Sequence, residues 1–267
     1  MPYLRQSHNV KPVRWGSEAD VQYAIAKNSE KIYGVDPDSN VLTMPLFFGF
    51  PCLDFSGKQN HGTPYGGVAY HSGSLNFDGV DDYVGATDKN SLDIVDDLTL
   101  SVWIKTTDNN TLRGIIGKDT DTSLNICPYT LYYNSGEVRF LMGQGTSFAL
   151  AETNTVENNG TWKHIVATID NTNILKIYIN SVQTGTTPTF SGTRQSNNNE
   201  LWIGKMPLYN GVLSALIDEV RINNIVLTAE QNALFYARKW DLYRRVGRTY
   251  YSVAAAPSIY IPRIMIF

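Results

Sequence analysis

The feature that most constrains this chain is a series of short apolar segments with the two-residue period of a β-strand. In "LTLSVWIK", the aliphatic residues at alternate positions from Leu98 to Ile104 share one side, and polar residues and Trp103 share the other. Similar segments recur from Val41 to Trp240, separated by turn clusters such as "TTDNN" and "QSNNNE". Roughly a dozen such segments predict an all-β fold built from two large curved sheets.

The pattern divides the chain into three parts. Residues 1–40 lack a sustained period and are expected to form an N-terminal arm, in which "SEADVQYAIAKNSEKI" has the pattern of a short helix behind Ser17. Residues 41–240 form the sandwich, closed by one short helix in "TAEQNALFYA", where Thr228 and Gln231 make a capping box. Residues 241–267 form a basic, aromatic C-terminal tail.

Charge and cysteine content narrow the class of protein. The net charge of −3 gives no overall attraction to nucleic acid or to an anionic membrane, so neither is an expected partner. Cys52 and Cys127 lack the spacing of a zinc site and are expected to be buried thiols. The first twenty residues lack the apolar run of a signal peptide, and we find no run of ~20 apolar residues that would span a membrane. We therefore expect synthesis in a cytoplasm without export.

Several segments together resemble a known family. They are "DFSGKQNHGT", "LNFDGVDDYV", "LTLSVWIK", "TWKHIVATID", "LKIYIN", "LWIG", "IDEVRIN" and "LTAEQNALF". In this order they are similar to laminin-G-like, concanavalin A-like jelly-roll domains. The resemblance implies a two-sheet antiparallel sandwich, but this fold serves lectins, glycosidases, adhesion modules and virion proteins, so it implies no single function.

The stretch "LNFDGVDDYV" has two interpretations. Asp and Gly tolerate tight backbone turns, so the segment is first the turn of a β-hairpin between strands that end at Phe77 and begin near Tyr83. Alternatively, its carboxylates bind Ca²⁺, which takes about six to eight oxygen ligands. Similar domains hold a structural Ca²⁺ near such a turn and near the "DEV" strand, so the resemblance implies Asp78, Asp81 and Asp218 as ligands of one Ca²⁺ ion.

The residues argue against an enzyme. Glycosidases of this fold carry their acids in an ExDxxE pattern along one strand, and no such pattern occurs here. Asp218 and Glu219 are adjacent and are expected to point to opposite faces of a strand, which makes them a poor acid–base pair. None of the four histidines has a Ser or Cys in a nucleophile elbow.

Glycan binding is one functional hypothesis, because sugars are held by aromatic rings and by Asn and Asp side chains on loops. Ordinary turns and strand tyrosines would give the same composition. The candidates for contact with a glycan on a cell surface are Tyr129, Tyr132, Tyr133, Asn197, Asn198 and Tyr209.

The second hypothesis is a structural protein of a bacteriophage particle, such as an exterior head decoration protein. The tail resembles the ends of laminin-G-like reading frames of tailed phages. The segment from Arg238 to Phe267 carries a charge of +5 beside apolar residues that would favour burial. Other virion proteins or further copies of this chain are then the expected partners, and the virion is the location. The docking candidates are Trp240, Tyr243, Arg244, Arg245, Tyr250, Tyr251, Ile259, Ile261, Ile264, Ile266 and Phe267. A free lectin or adhesin is the alternative.

Overall fold

The computed structural model describes residues 18–46, 52–119 and 122–243. Short strands are the main regular structure in these residues, as the alternating pattern predicts. The two α-helices are α1, Glu18–Asn28, and α2, Ala229–Ala237. The strands are β1 Asn40–Met44, β2 Gly62–Tyr65, β3 Ala69–His71, β4 Ser74–Asp78, β5 Tyr83–Ala86, β6 Leu98–Lys105, β7 Arg113–Gly117, β8 Thr130–Asn134, β9 Glu137–Gly143, β10 Phe148–Val156, β11 Lys163–Ile169, β12 Leu175–Ile179, β13 Val182–Thr184, β14 Leu201–Ile203, β15 Lys205–Met206, β16 Gly211–Val212 and β17 Ser214–Asn223.

The strands form two antiparallel sheets that pack face to face. The larger sheet has the order β13-β12-β11-β6-β17-β4-β3, and the smaller sheet has the order β10-β9-β8-β7-β14-β5-β2. Strand β1 also joins the larger sheet, because the long strand β17 pairs with β4 along Ser214–Ile217 and with β1 along Val220–Asn223. Strands β15 and β16 form a separate two-stranded ribbon. The predicted two-sheet antiparallel sandwich is confirmed.

The core lies between the two sheets and is formed by alternate residues of their strands. On β6, for example, the aliphatic residues from Leu98 to Ile104 are fully buried in this core, while Ser101 and Trp103 face away from it. Burying one aliphatic side chain of this kind stabilises the fold by about 1.5–3 kcal/mol. Cys52 and Cys127 are buried free thiols, as predicted.

A helical layer covers the outer face of the larger sheet. It consists of α1, the π-helical segment Ser29–Tyr33, α2 and the 3-10 segment Lys239–Tyr243. A second apolar cluster holds it together, in which the rings of Tyr33 and Phe235 stack at 4.2 Å. The layer rests on β17, where the Arg221 guanidinium lies 4.6 Å from the centre of the Phe235 ring.

The helical layer brings together segments from both sides of the predicted domain boundaries. Residues 18–39 lie before the boundary at 40, and residues 241–243 lie after the boundary at 240. Within the part of the chain that the structure describes, both segments pack against α2. The boundaries themselves stay predictions. Neither described helix has the length and apolar character needed to cross a bilayer.

The helix predicted behind Thr228 is α2. The Thr228 hydroxyl accepts a hydrogen bond from the Gln231 backbone N–H, and the Gln231 side chain accepts one from the Thr228 N–H. The predicted capping box is therefore confirmed.

The "LNFDGVDDYV" turn does not connect a hairpin. Strand β4, before the turn, belongs to the larger sheet, whereas β5, after it, belongs to the smaller sheet. The hairpin interpretation is therefore wrong, and the turn crosses from one sheet to the other. Asp and Gly specify that the chain reverses, but they do not specify which strand the next segment pairs with.

Candidate functional site

Three aromatic rings lie side by side on the outer face of the smaller sheet. Tyr65 on β2 is paired with Tyr83 on β5, and Trp202 lies on β14, the next strand. Their sequence neighbours on β5 and β14 are buried in the core, so strand alternation turns the rings outward. We call the following five residues the aromatic platform: Tyr65, Tyr83, Glu200, Trp202 and Lys205.

The rings and the ammonium group of the platform touch one another. Tyr65 and Tyr83 stack with ring centres 4.6 Å apart, and the Trp202 ring is tilted by 54° with its centre 5.1 Å from that of Tyr83. The Lys205 Nζ lies 4.3 Å from the Tyr83 ring centre and 5.4 Å from that of Trp202. Tyr83 therefore supports both neighbours, and Tyr65, which is 40% exposed, presents ring surface to solvent.

Glycines on both neighbouring strands flank Trp202. Gly85 and Gly117 are its cross-strand partners on β5 and β7. A Cβ at Gly85 would lie 3.0 Å from the Glu200 Oε2 and 3.2 Å from the Tyr65 ring, so a larger residue would push both away. The missing side chain at Gly85 thus allows the Glu200 carboxylate and the Tyr65 ring to meet over β5. Burial, the neighbouring Tyr65 and the Glu200 carboxylate raise the pKa of the Tyr83 phenol, which stays neutral.

A buried lysine fixes the loop that leads into β14. The Lys118 side chain is fully buried, and its Nζ lies 2.6 Å from an Asp88 carboxylate oxygen and in contact with the Asp93 carboxylate. It also donates to the Asn197 carbonyl at 2.5 Å, and the Asn197 amide in turn donates to the Lys118 carbonyl. The loop before Glu200 and Trp202 is therefore anchored to the end of β7.

The structure separates the residues predicted for glycan contact. Tyr129, Tyr132 and Tyr133 are almost fully buried, because each packs inside a strand or loop between apolar neighbours, and they present no surface to a sugar. The sequence around these tyrosines suggested exposed rings, but both faces of β8 are covered. Asn197 holds the Lys118 loop, while Asn198 is exposed. Tyr209 is 50% exposed in the turn between β15 and β16.

The predicted metal ligands meet only in part. Oxygens of Asp78 and Asp81 lie within 4.8 Å of one another and of an oxygen of Asp82, which is not one of the predicted ligands. Asp218 lies four residues along β17 from Ser214, the residue paired with Asp78. This spacing places it about 13 Å further along the strand. Asp218 is therefore not part of this cluster, and it pairs with Lys239 at 2.6 Å instead.

Strand alternation predicts that Asp218 and Glu219 point to opposite faces of β17. In the structure they point to the same face. A β-bulge at Glu219, where φ is +54°, turns both carboxylates toward the helical layer. Glu219 accepts a hydrogen bond from the Tyr243 hydroxyl at 2.6 Å and contacts the Arg221 guanidinium. Both acids are buried and engaged in ion pairs, so they serve the packing of the helical layer.

One Ser–His contact was missed in the sequence. The His164 Nε2 lies 2.9 Å from the Ser101 Oγ across β6 and β11. Both side chains are almost fully buried beneath the helical layer, and burial together with the nearby Arg221 and Lys239 lowers the pKa of His164 to about 3. The imidazole is therefore neutral and closed to a substrate.

Most of the predicted docking residues lie outside the described part of the chain. Tyr243 is described, and it is buried in the helical layer with its hydroxyl bound to Glu219, so it offers no surface to a partner. Trp240 lies in the 3-10 segment Lys239–Tyr243. The residues outside the described ranges are Arg244, Arg245, Tyr250, Tyr251, Ile259, Ile261, Ile264, Ile266 and Phe267.

The sequence predicted sugar-binding aromatic residues in loops, whereas the platform residues lie on or beside strands. Their signal was present in the strand segments: in "LWIG", Trp202 stands between two apolar residues, and in "DDYVGA", Tyr83 and Gly85 alternate with Val84 and Ala86. The alternation predicts outward rings. It does not show that these segments are neighbours in one sheet.

Comparison with solved structures identifies the same fold in proteins of distant sequence. The binding domain of Paraclostridial Mosquitocidal Protein 1 superposes with a TM-score of 0.63 at 13% identity, over 76% of this chain and 53% of that chain. The receptor-binding domain of botulinum neurotoxin C/D mosaic serotype gives 0.60 at 15% identity, over 75% and 51%. A botulinum neurotoxin type C structure gives 0.62 at 17% identity, over 75% and 51%. The chain spans about half the length of the solved chains it matches.

Comparison with sequences gives the family. No curated protein sequence matches the chain significantly. The profile of the concanavalin A-like lectin/glucanases superfamily matches residues 78–231, which is more than half of the chain and includes most strands of both sheets. The chain therefore belongs to the concanavalin A-like lectin/glucanases superfamily.

Proposed function

We propose that this protein is a carbohydrate-binding module and that the aromatic platform is its sugar-binding surface. The single observation that carries the proposal is the row of three touching rings on adjacent strands, with a carboxylate and an ammonium group beside them. Sugar rings have apolar C–H faces that pack on aromatic rings, and hydroxyl groups that hydrogen-bond to charged side chains.

Each platform residue has a role in this proposal. Tyr65 and Trp202 supply ring surface for the sugar, and Tyr83 holds both in position. The Glu200 carboxylate accepts hydrogen bonds from sugar hydroxyls, and the Lys205 ammonium donates them. Because the sheet is rigid, little side-chain freedom is lost on binding.

The solved structures similar to this chain support a binding role. One solved neighbour is the receptor-binding domain of a botulinum neurotoxin, and cell entry of botulinum neurotoxin type C is dependent upon interaction with two ganglioside molecules. Another solved neighbour is the serotype D domain in complex with N-acetylneuraminic acid. In this chain the acids Asp218 and Glu219 are engaged in ion pairs, which fits a module that binds without cleaving.

Replacing Trp202 by alanine tests the proposal. Removal of a central aromatic contact costs about 2 kcal/mol or more, so we expect the dissociation constant for a bound glycan to rise roughly thirty-fold. A glycan array identifies the ligand, and titration calorimetry compares wild type with W202A and Y65A.

Tyr70 provides the matched control for this experiment. It is 50% exposed and lies on β3 in the larger sheet, away from the platform strands. The Y70A variant should bind like wild type. Equal affinity in wild type and folded W202A, or an array on which the wild-type protein binds nothing, would refute the proposal.

A Ca²⁺ ion at the sheet-crossing turn is a further part of the proposal. The carboxylates of Asp78, Asp81 and Asp82 fit it, because hard oxygen ligands are what Ca²⁺ prefers. Asp82 is 97% buried and its Oδ1 has no hydrogen-bond partner among the described residues, while its Oδ2 accepts from the Asp78 N–H at 2.9 Å. Burial, together with Asp78 and Asp81, raises the pKa of Asp82, and a bound cation would oppose this effect.

Thermal melts in Ca²⁺ and in chelator test this site. At a hundred times its dissociation constant an ion adds about 2.7 kcal/mol, which raises the melting temperature of a chain of this size by roughly 5–10 °C. The D81N/D82N variant should lose this rise, and the D96N variant, altered at an exposed acid elsewhere, should keep it. Identical wild-type melts in both buffers would rule out the ion.

The bacteriophage virion hypothesis stays a prediction. It rests on the resemblance of the tail, whose residues beyond Tyr243 lie outside the described ranges. A carbohydrate-binding module is the better supported function, because the aromatic platform and the glycan-binding neighbours both favour it.

A further inference from the structure

We infer that the platform binds acidic saccharides in preference to neutral ones, with Lys205 as the residue that selects the acid group. This inference rests on the proposed carbohydrate-binding function and adds a ligand class to it. The Lys205 ammonium is surrounded by aromatic rings, whereas the other partly buried lysines contact oxygen atoms.

The other partly buried lysines of the described ranges have an oxygen atom as partner, and Lys89, for example, donates to the Gln59 carbonyl. Lys118 contacts two aspartates, Lys163 lies 3.1 Å from Glu157, and Lys239 lies 2.6 Å from Asp218. Lys205 is half-buried as well, yet no salt bridge or hydrogen bond joins its side chain to another residue of the described ranges. Its contacts are the rings of Tyr83 and Trp202.

The position of this ammonium is fixed before a ligand arrives. Lys205 begins β15, which is paired with β16, and follows Gly204, whose φ of +85° turns the chain after β14. Its backbone lies against Gly114, where a Cβ would approach the Lys205 carbonyl oxygen to 2.3 Å. Two aromatic faces then hold the side chain through cation–π contacts, which leave its N–H donors and its full charge available to a ligand.

Glu200 makes one end of the platform negatively charged, opposite the positively charged Lys205 end. Its carboxylate lies over Gly85 beside Tyr65, and it is more than 4.0 Å from the Lys205 ammonium, since the two form no salt bridge. A carboxylate or sulfate group on a sugar is repelled at the Glu200 end and attracted at the Lys205 end, where rings reduce the water around it. Sugar hydroxyls donate hydrogen bonds to the Glu200 carboxylate. The platform thus matches a saccharide with hydroxyls at one end and an anionic group at the other.

An array of matched glycan pairs tests the inference. Each pair consists of a glycan with a sialic acid, uronate or sulfate group and the same glycan without the charge. We expect wild-type protein to bind the acidic member about ten-fold more tightly, with a preference that falls as salt is added. In K205M the ratio of the two affinities should fall to about one, because methionine keeps the stem over the rings but loses the charge. The neutral member should lose only the hydrogen bond that the ammonium donates to it. K205R should restore the preference.

Lys105 provides the matched control, since it is exposed at the end of β6 in the larger sheet. K105M should retain the wild-type preference. Equal binding of acidic and neutral members, or a preference that K205M leaves intact, overturns the role of Lys205 while the carbohydrate-binding function stands. Failure of the wild-type protein to bind either member of every pair overturns that function and the inference with it.

Discussion

Replacing Lys118 by alanine is expected to lower the free energy of unfolding by about 3–5 kcal/mol. The Lys118 ammonium is fully buried between the carboxylates of Asp88 and Asp93. Its removal leaves two negative charges near each other, partly out of water, without the cation that compensates them. It also removes the hydrogen bond to the Asn197 carbonyl, so the loop before β14 loses its anchor.

Chemical denaturation of the wild type and of the K118A variant measures this loss. The K27A variant is the control, since the Lys27–Glu30 pair is 3.5 Å long and both side chains are largely exposed. Exposed pairs contribute at most about 1 kcal/mol, so K27A should remain close to wild type. A K118A variant as stable as K27A would show that the buried triad does not hold the loop.

Replacing Asp119 by asparagine is expected to change how stability depends on pH. Asp119 is almost fully buried, and burial raises its pKa from 3.8 to about 7, against the opposing effect of the hydrogen bond from the Cys127 thiol. The folded state therefore holds a proton that the unfolded state releases above pH 3.8. This contribution to stability is complete below that pH and is lost as the pH rises to about 7.

The size of the effect follows from the shift in pKa. Each unit of pKa corresponds to about 1.4 kcal/mol, so the wild type should lose roughly 4 kcal/mol from this group between pH 4 and pH 7. Asparagine has no proton to lose and its carbonyl still accepts from the Cys127 thiol. D119N should match the wild type near pH 4 and become the more stable protein at neutral pH.

Denaturation curves across this pH range give the difference in free energy of unfolding between wild type and D119N. Titrations that the two proteins share cancel in this difference.

Asp170 provides a contrast, because its pKa is shifted in the opposite direction. Burial acts to raise its pKa, but hydrogen bonds from the Thr172 hydroxyl and N–H outweigh this, and the pKa is lowered. D170N should be less stable than wild type at neutral pH and converge with it in acid. A D119N difference that does not vary with pH would contradict the prediction.

Much of the architecture could be predicted from local patterns. The alternation in "LTLSVWIK" gave the core side of β6, and the capping box at Thr228 gave the start of α2. The candidate site could be predicted only in part. Asp78 and Asp81 do meet, but Asp218 does not join them, since its distance from the turn depends on the register between β17 and β4.

The strand period, the turn clusters and the helix cap depend on residues close together in the chain, so the sequence by itself determined the all-β class and most element positions. The tertiary structure decided which strands are neighbours. It assigned β4 and β5 to different sheets, and it placed β2, β5 and β14 side by side. Tyr65, Tyr83 and Trp202 are distant in sequence, and pairing between strands depends on packing across the whole sandwich. A surface formed by such pairing has no local signal, and this is why the platform emerged only from the folded protein.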